Sequence, residues 1–308
     1  MNHESIGIII LNWNSSEVTC NCLMDFVKQG MNYSIIVVDN GSSDDSVVCI
    51  KAKFPNITII ESPTNVGFAG GNNLGIRYCL DKGYEYVMLL NNDTLFDEDF
   101  VAPMVQFLEQ NDEVGAIQPK IYFNHDRSII WNGGTKFNPF SGETHTYGEG
   151  KKDNPAYNKI KKVPWITGCC ILIRKSVIEK VGLLDEQFFI YYEDVDWSFR
   201  VAQAGLKLVY FPKTKIYHIA GVSQKRVNKT RDGYLKPSFH HLNIRNQIFI
   251  IRRYCQWYHL PTVAIYFFAK ISIYLAYFLF RLRFEKAKML LLGFKDGLGN
   301  FHKNKTLD

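Results

Sequence analysis

Apolar positions in the first third of the chain come in short unbroken runs. IGIIIL (Ile6 to Leu11), YSIIVVD ending at Asp39, ITII and YEYVMLL are each closed by Asn, Asp, Ser or Gly. Continuous runs of this length read as strands buried on both faces. Longer mixed stretches between them read as helices. One starts at Ser15 and Ser16 and runs to about Lys28, one opens at Ser43-Asp44-Asp45, one runs through Ile76 to Leu80 after a Gly- and Asn-rich loop, and one is DEDFVAPMVQFLEQ. Acids at the openings suit the helix dipole. Strands alternating with helices predict an α/β fold with a doubly wound, mostly parallel sheet. Such sheets bind ligands at the carboxyl ends of their strands.

Between about residues 124 and 162 the pattern dissolves into Gly, Asn, Lys and His, which predicts loops and short strands. It returns at VPWITGCCILIRK. Ser176 and Glu179 then fit a capping box on a short helix ended by Gly182. FFIYY reads as a strand-like aromatic run, EDVDWSFRVAQAG as a helix stopped at Gly205, and KLVYFP and KIYHIAG as two short strands. From Leu260 to Leu282 the chain is almost wholly apolar, interrupted at Pro261 and Lys270. Three arrangements fit it: a packed core helix, an in-plane amphipathic helix, or a membrane span. Membrane contact is the expectation, with the basic flank on the cytoplasmic side.

Composition narrows this picture in two places. The chain has 308 residues, 46% of them hydrophobic, and a net charge of +6. The excess positive charge lies from Arg245 onward, interleaved with apolar residues, a pattern for an anionic membrane surface rather than nucleic acid. The seven cysteines contain no CxxC pair, so neither a disulfide framework nor a zinc site is expected, and a reducing cytosol is. MNHESIGIII carries an early acid and only a short apolar run, unlike a signal peptide.

The candidate chemistry sits at strand ends. Asp39 is either a turn-forming aspartate or an acceptor for a sugar hydroxyl or base N–H of a nucleotide. Gly67, Gly70, Gly71 and Gly75, with Asn65, Asn72 and Asn73, surround a helix start, where backbone N–H groups can meet phosphate. Their spacing is neither GxGxxG nor a P-loop, which argues against a dehydrogenase and a P-loop NTPase. In LLNNDTL, Asn91-Asn92-Asp93 follows a buried strand. One Asp together with diphosphate oxygens suffices for Mg²⁺ or Mn²⁺, while Thr94 could instead cap the next helix. Glu193, Asp194 and Asp196 cluster at a helix start. Glu193 or Asp194 could be a general base, and Asp196 has Arg200 one turn on. His218 is either a satisfied core histidine or a metal ligand with Asp93.

In this order, IIILNWN, IIVVDNGSSDDS, NVGFAGGNNLGI, LLNNDT, WITGCCILIRKSVIEKVGLLDEQFFIYYEDVDWSFR and YHIAG resemble family 2 glycosyltransferases of the GT-A fold, in particular the bacterial rhamnosyltransferase-like members. The resemblance implies a GT-A catalytic domain over about 1–230, its nucleotide-sugar half about 1–122 and its acceptor half about 123–230, with a helical, membrane-associating region over 231–308. It implies donor contacts from Asn12, Asp39, Asn65, Gly67, Gly71, Asn72, Asn91 and Asn92, and a divalent cation on Asp93 and His218. Asp194 becomes the catalytic base, and Trp165, Gly168, Glu193 and Asp196 serve or support the acceptor site. The first position of the DxD-type motif is Asn91, as in the rhamnosyltransferase-like branch. The expected reaction is inverting transfer from a nucleoside-diphosphate sugar, dTDP-rhamnose or a UDP-hexose, to a hydroxyl of a cell-surface or lipid-linked glycan at the cytoplasmic face of the plasma membrane. A sugar nucleotidyltransferase would want a basic Gly-rich loop near the N-terminus, and NWNSSEV supplies no Lys or Arg there. A non-catalytic nucleotide-sugar binder is the other alternative.

Overall fold

A computed structural model describes residues 5–219, 225–230 and 233–299. Its first eight elements follow the apolar runs: β1 (Ile6–Asn12), α1 (Ser16–Lys28), β2 (Ser34–Asp39), α2 (Ser46–Lys53), β3 (Thr58–Glu61), α3 (Gly67–Asp81), β4 (Tyr86–Asn91) and the short β5 (Thr94–Leu95). After α4 (Val101–Glu109) come β6 (Val114–Phe123), β7 (Ile130–Asn132), the hairpin β8 (Thr135–Asn138) and β9 (Glu143–Thr146), and β10 (Lys161–Lys162). Then follow β11 (Cys170–Arg174), α5 (Lys175–Val181), α6 (Glu193–Gln203) and β12 (Lys207–His218).

The main sheet has ten strands in the path β10-β12-β6-β11-β4-β1-β2-β3, with β5 on β12 and β7 on β6. β4, β1, β2 and β3 are parallel neighbours, while β11 is antiparallel to both β4 and β6. Side chains alternate across the sheet as a strand's period of two requires. Ile8 and Ile10 pack with α1 and α4, in one core with Phe26, Met104 and Leu108. Ile9 packs on the other face with Ile76, Ile178 and Trp197. Met88 and Leu90 divide in the same way from Val87 and Leu89.

Four local expectations are corrected. The Gly- and Asn-rich stretch is not a loop, because α3 already begins at Gly67. A Cβ on Gly75 would stand 2.6 Å from Ile9 Cγ2, and one on Gly71 2.4 Å from Leu11 Cδ1, so these glycines let α3 lie close against β1. FFIYY is not a strand: Phe189, Tyr191 and Tyr192 have φ of 63°, 73° and 70°, which no β-strand accepts. KLVYFP and KIYHIAG form one strand, β12, whose register on β6 slips between Phe211 and Lys215. The helix starts also differ. Ser176 caps nothing, since α5 opens on Arg174 without a side-chain cap. Thr94 lies in β5 and donates to Asn91 O at 2.7 Å, while Asp99 accepts from the N–H groups of Val101 and Ala102 at 2.8 and 3.1 Å.

The chain divides into two compact units. One is Met1–Lys136, Thr146–Phe189 and Glu193–Ala220; the other is Phe137–His145, Ile190–Tyr192 and Gly221–Asp308. The second holds β13 (Lys225–Thr230), β14 (Gly233–Leu235), α7 (Pro237–Tyr254), α8 (Leu260–Phe280) and α9 (Phe284–Leu298). Its helices share a core of Ile244, Ile248, Val263, Phe267, Phe278 and Leu290. Residues Trp257–Phe280 are long and apolar enough to cross a membrane. All seven cysteines are free.

Candidate active site

The parallel register brings the carboxyl ends of three strands together: Asn12 of β1 stands opposite Asp39 of β2, and Leu11 opposite Asn91 of β4. Asp39 is buried and well supplied with donors. Asn12 Nδ2 reaches its Oδ1 at 2.8 Å, Ser42 Oγ the same oxygen at 2.6 Å, and Ser42 N its Oδ2 at 3.0 Å. Asn12 Oδ1 accepts from Thr19 Oγ1 at 2.7 Å, and Thr19 Oγ1 accepts from Asn92 Nδ2 at 2.9 Å. A hydrogen-bonded line thus runs Asn92–Thr19–Asn12–Asp39 across the ends of β4, β1 and β2. Thr19 sits on the first turns of α1 and has no exposed surface. It was absent from the sequence-based candidates, because nothing local to it signals a role.

Asn65 and its neighbour Asn40 fix the entry to α3. Asn40 Nδ2 donates to Asn65 Oδ1 and Gly67 O, at 3.1 and 3.0 Å, and Asn65 Oδ1 accepts from Gly67 N at 2.8 Å. Gly67 has φ +80°, and a Cβ there would stand 2.4 Å from Phe189 O, so only glycine fits. Asn72 turns back on its own helix, donating to Phe68 O at 2.9 Å. Asn73 holds the segment ahead of α6: its Nδ2 donates to Leu184 O at 2.9 Å and its Oδ1 accepts from Leu184 N at 3.0 Å.

Asp194 lies in the first turn of α6. Its Oδ2 accepts from Gly168 N at 2.8 Å and its Oδ1 from Val195 N at 2.8 Å. Burial pushes its carboxyl up to about 6, against the lowering by these N–H groups. A carboxylate at that value is matched to taking a proton near neutral pH. Gly168 is followed by Cys169, whose carbonyl accepts from Asn91 N at 2.9 Å. Two consecutive residues therefore tie Asp194 to the Asn91-Asn92-Asp93 turn.

Glu193 is buried beside Asp194. Asp196, with no exposed surface, accepts from Arg200 Nε at 3.0 Å, and the Arg200 guanidinium also donates to the carbonyls of Val181 and Leu183. That arrangement staples the 181–184 segment to α6. Trp165 is buried, with its indole N–H on Lys136 O at 2.9 Å. Ser198 Oγ accepts from Ile166 N at 3.1 Å, so α6 pins the 165–168 segment at two points. Asn246 of α7 donates to the carbonyls of Ile190 and Tyr191, at 2.9 and 2.8 Å.

The Glycosyl transferase family 2 model matches residues 7–182, more than half the chain. The chain is a family 2 glycosyltransferase. The low-salt glycan biosynthesis hexosyltransferase Agl10 of Haloferax volcanii is 28% identical over 238 residues, 75% of this chain and 73% of that protein. An N-acetylglucosaminyl-diphospho-decaprenol L-rhamnosyltransferase of Mycobacterium tuberculosis is 26% identical over 246 residues, 74% of this chain and 78% of that protein. Among solved structures, GalNAc-T7 with UDP, GalNAc and Mn²⁺ superposes with a TM-score of 0.63 at 15% identity, over 82% of this chain. The match spans about half of GalNAc-T7, 48% of its length. It supports the GT-A fold expected from the sequence.

In this glycosyltransferase His218 Nε2 lies 3.0 Å from Asp93 Oδ1, both side chains being buried. β5 and β12 bring them together, with His218 opposite Thr94 in register. Burial opposes the imidazolium, but Cys169 and the Asp93 carboxylate outweigh it and hold the His218 pKa well above the usual imidazole value. Trp131 packs edge-on against the ring at 4.4 Å. Among the described residues no three His, Cys, Asp or Glu side chains gather to hold a metal ion. A hard cation held mostly by diphosphate oxygens needs only one or two protein donors; the Asp93 carboxylate can be one, and the His218 imidazole a second only once it has lost its proton. The cavities at the amino ends of the strands, one of about 490 Å³ walled by α1, β2 and β3, lie away from all of this chemistry.

Proposed function

We propose that this glycosyltransferase is an inverting enzyme that moves a sugar from a nucleoside-diphosphate sugar, dTDP-rhamnose or a UDP-hexose, to a hydroxyl of a cell-surface or lipid-linked glycan. The observation that carries the reading is Asp194, a carboxylate bonded to Gly168 N, the residue before the Cys169 carbonyl that meets Asn91 N; burial raises it to about 6. In this scheme Asp194 takes the proton of the acceptor hydroxyl as that oxygen attacks the anomeric carbon. Asp39, supported by Asn12, accepts from the ribose or base. Asn65, Gly67, Gly71 and Asn72 shape the amino end of α3 beside the diphosphate, where the helix dipole favours negative charge. Asn91 and Asn92 hydrogen-bond the nucleotide. Asp93 and His218 would hold Mg²⁺ or Mn²⁺, whose chemistry there is Lewis-acid neutralisation of the departing diphosphate. Trp165, Gly168, Glu193 and Asp196 support the acceptor side, the last through its Arg200 staple.

The acceptor reading draws on the mycobacterial relative, whose name places its acceptor on a lipid diphosphate. It also draws on the apolar α8 and its basic flank. Both support a reading in which the enzyme works at the cytoplasmic face of the plasma membrane, its catalytic domain over about 1–230 and its membrane-contacting helices over 231–308. A thermal-shift panel of nucleotide sugars with Mg²⁺ or Mn²⁺ tests the donor, since a ligand at a hundredfold its Kd adds about 2.7 kcal/mol. One nucleotide sugar should stand out and be slowly hydrolysed. No stabilisation and no sugar release across the panel would overturn the proposal.

A further inference from the structure

Helix α8 is apolar nearly all round, yet the protein covers only a narrow stripe of it. Val263, Phe267 and Phe278 are buried, while Ile265, Phe268, Ile273 and Phe280 are 72, 77, 67 and 85% exposed. At 21 residues it is about 31 Å long, enough to cross the hydrocarbon of a bilayer. Length therefore does not decide between a span and a helix lying in the plane.

Lys270 does. It is the middle residue of α8, and its ammonium donates to Glu143 Oε1 at 2.6 Å and to Gln247 Oε1 at 2.7 Å. Tyr266 OH donates to the same Glu143 oxygen at 3.0 Å, and Gln247 Nε2 donates to Gly142 O at 2.9 Å. Glu143 and Gly142 belong to the β8–β9 hairpin, whose turn exposes Phe140. If α8 crossed a bilayer, its midpoint would stand at the midplane and bring this ion pair and an exposed, irregular turn to the same depth. Irregular backbone facing lipid is not tolerated there. The polar node instead marks the side of α8 that faces protein along its length.

The outer surroundings suit a membrane interface. Trp257 and Tyr258 are exposed just before α8, and such rings favour the headgroup level. On α9, Phe284, Leu291, Leu292 and Leu298 are exposed on turns shared with exposed Lys288 and Lys295, and exposed Arg281 joins the two helices. Lysine stems can lie along apolar surface while their ammonium groups reach anionic headgroups.

We propose that α8 lies flat in one leaflet of an anionic bilayer, its exposed aromatic and aliphatic perimeter in the acyl boundary and the Lys270–Glu143–Gln247 node turned inward, so that the chain is held on the membrane without crossing it. The proposal rests on the membrane reading above. The test uses the full chain on sealed vesicles of phosphatidylcholine and phosphatidylglycerol. Ser238→Cys and Glu285→Cys bracket α8 at exposed positions, and a bulky impermeant maleimide is applied from outside, with the parent chain giving the background of native thiols. Both positions should label fully before detergent is added. Glu285→Cys labelling only after detergent, while Ser238→Cys labels before, would overturn the flat arrangement and leave the membrane reading intact. A parent chain that does not partition to these vesicles would overturn the membrane reading itself. The pair Ile265→Glu with Phe268→Glu, at positions that pack on little protein, should weaken partitioning at least about tenfold with unchanged thermal unfolding. Undiminished partitioning of that pair would refute the assignment of this face to lipid.

Discussion

Replacing Asp194 by Asn should separate chemistry from stability in a way that depends on pH. Folding raises the carboxyl from 3.8 to about 6, so the folded state binds this proton more tightly than the unfolded one. The group then costs nothing while protonated. Its cost grows as pH rises from the unfolded value to the folded one and levels off above it, at about 3 kcal/mol. Between pH 5 and pH 8 the same two values give a loss of about 1.4 kcal/mol for the wild type that Asn, which does not ionise, escapes. Asn has one acceptor oxygen for the two N–H groups of Gly168 and Val195, so one of them is left unpaired at a cost of about 1–3 kcal/mol at every pH. The absolute stabilities of the two proteins are therefore close. The pH-dependent difference between them is free of that offset and should appear as a change in ΔTm of about 2 °C between pH 5 and pH 8.

Transfer should show the opposite preference. The wild-type rate is expected to rise with pH through about 6, where Asp194 ionises, and then to flatten. Asp194→Asn should lose about a hundredfold to ten-thousandfold in rate while binding the nucleotide sugar with near-normal affinity. Initial rates of sugar transfer, donor titrations and melting curves at the two pH values make up the whole experiment. A variant that keeps more than about a tenth of the wild-type rate would show that Asp194 is not the base, and a ΔTm that does not change with pH would show that burial does not act on its proton as argued.

Asp93→Ala should bind the donor with an affinity that no longer responds to Mg²⁺, Mn²⁺ or EDTA; calorimetric titration with and without chelator checks it, and a retained metal response would exclude Asp93 as a ligand. Thr19→Val removes the hydroxyl between Asn12 and Asn92 and leaves buried polar atoms without their partner, so it should cost about 1–3 kcal/mol in urea unfolding and raise KM for the donor more than it lowers kcat. Gly75→Ala places a methyl within 3.0 Å of three Ile9 side-chain atoms, and its overpacking cost of about 1–3 kcal/mol should exceed the roughly 1 kcal/mol that Ala gains in a helix. A higher melting temperature in that variant would mean that α3 is not held against β1.

Strand positions were legible because a strand buried on both faces must be apolar at every residue, and Ile8, Ile9 and Ile10 show that directly. What escaped depends on partners far along the chain. The glycines of α3 read as a loop because Gly signals both positive φ and close approach, and only the Ile9 and Leu11 side chains opposite tell which applies. FFIYY read as a strand because aromatic residues favour one, yet the chain turns at Tyr191 and Tyr192, held by Asn246 from 55 residues away. Asn73 acts on Leu184 across 111 residues, and no window of sequence reports such a pair. The carboxylates stand out in the sequence for the converse reason: acids at strand ends and in first helical turns cluster locally, where the dipole favours them.

The proposed base and the proposed donor turn are joined through Gly168 and Cys169. The Gly168 N–H is bonded to Asp194, and a Cβ at Gly168 would stand 3.0 Å from the ring of Phe68, so α3 and α6 both close on that one residue. The Cys169 carbonyl is bonded to Asn91, and its thiol lies beside His218. Any shift of α6 that moved Asp194 would pull on the strand carrying the Asn91-Asn92-Asp93 turn, and a shift of that turn would pull back on Asp194. A donor that reorders Asn91 to Asp93 on binding therefore has a two-residue path to Asp194, through backbone hydrogen bonds rather than flexible side chains.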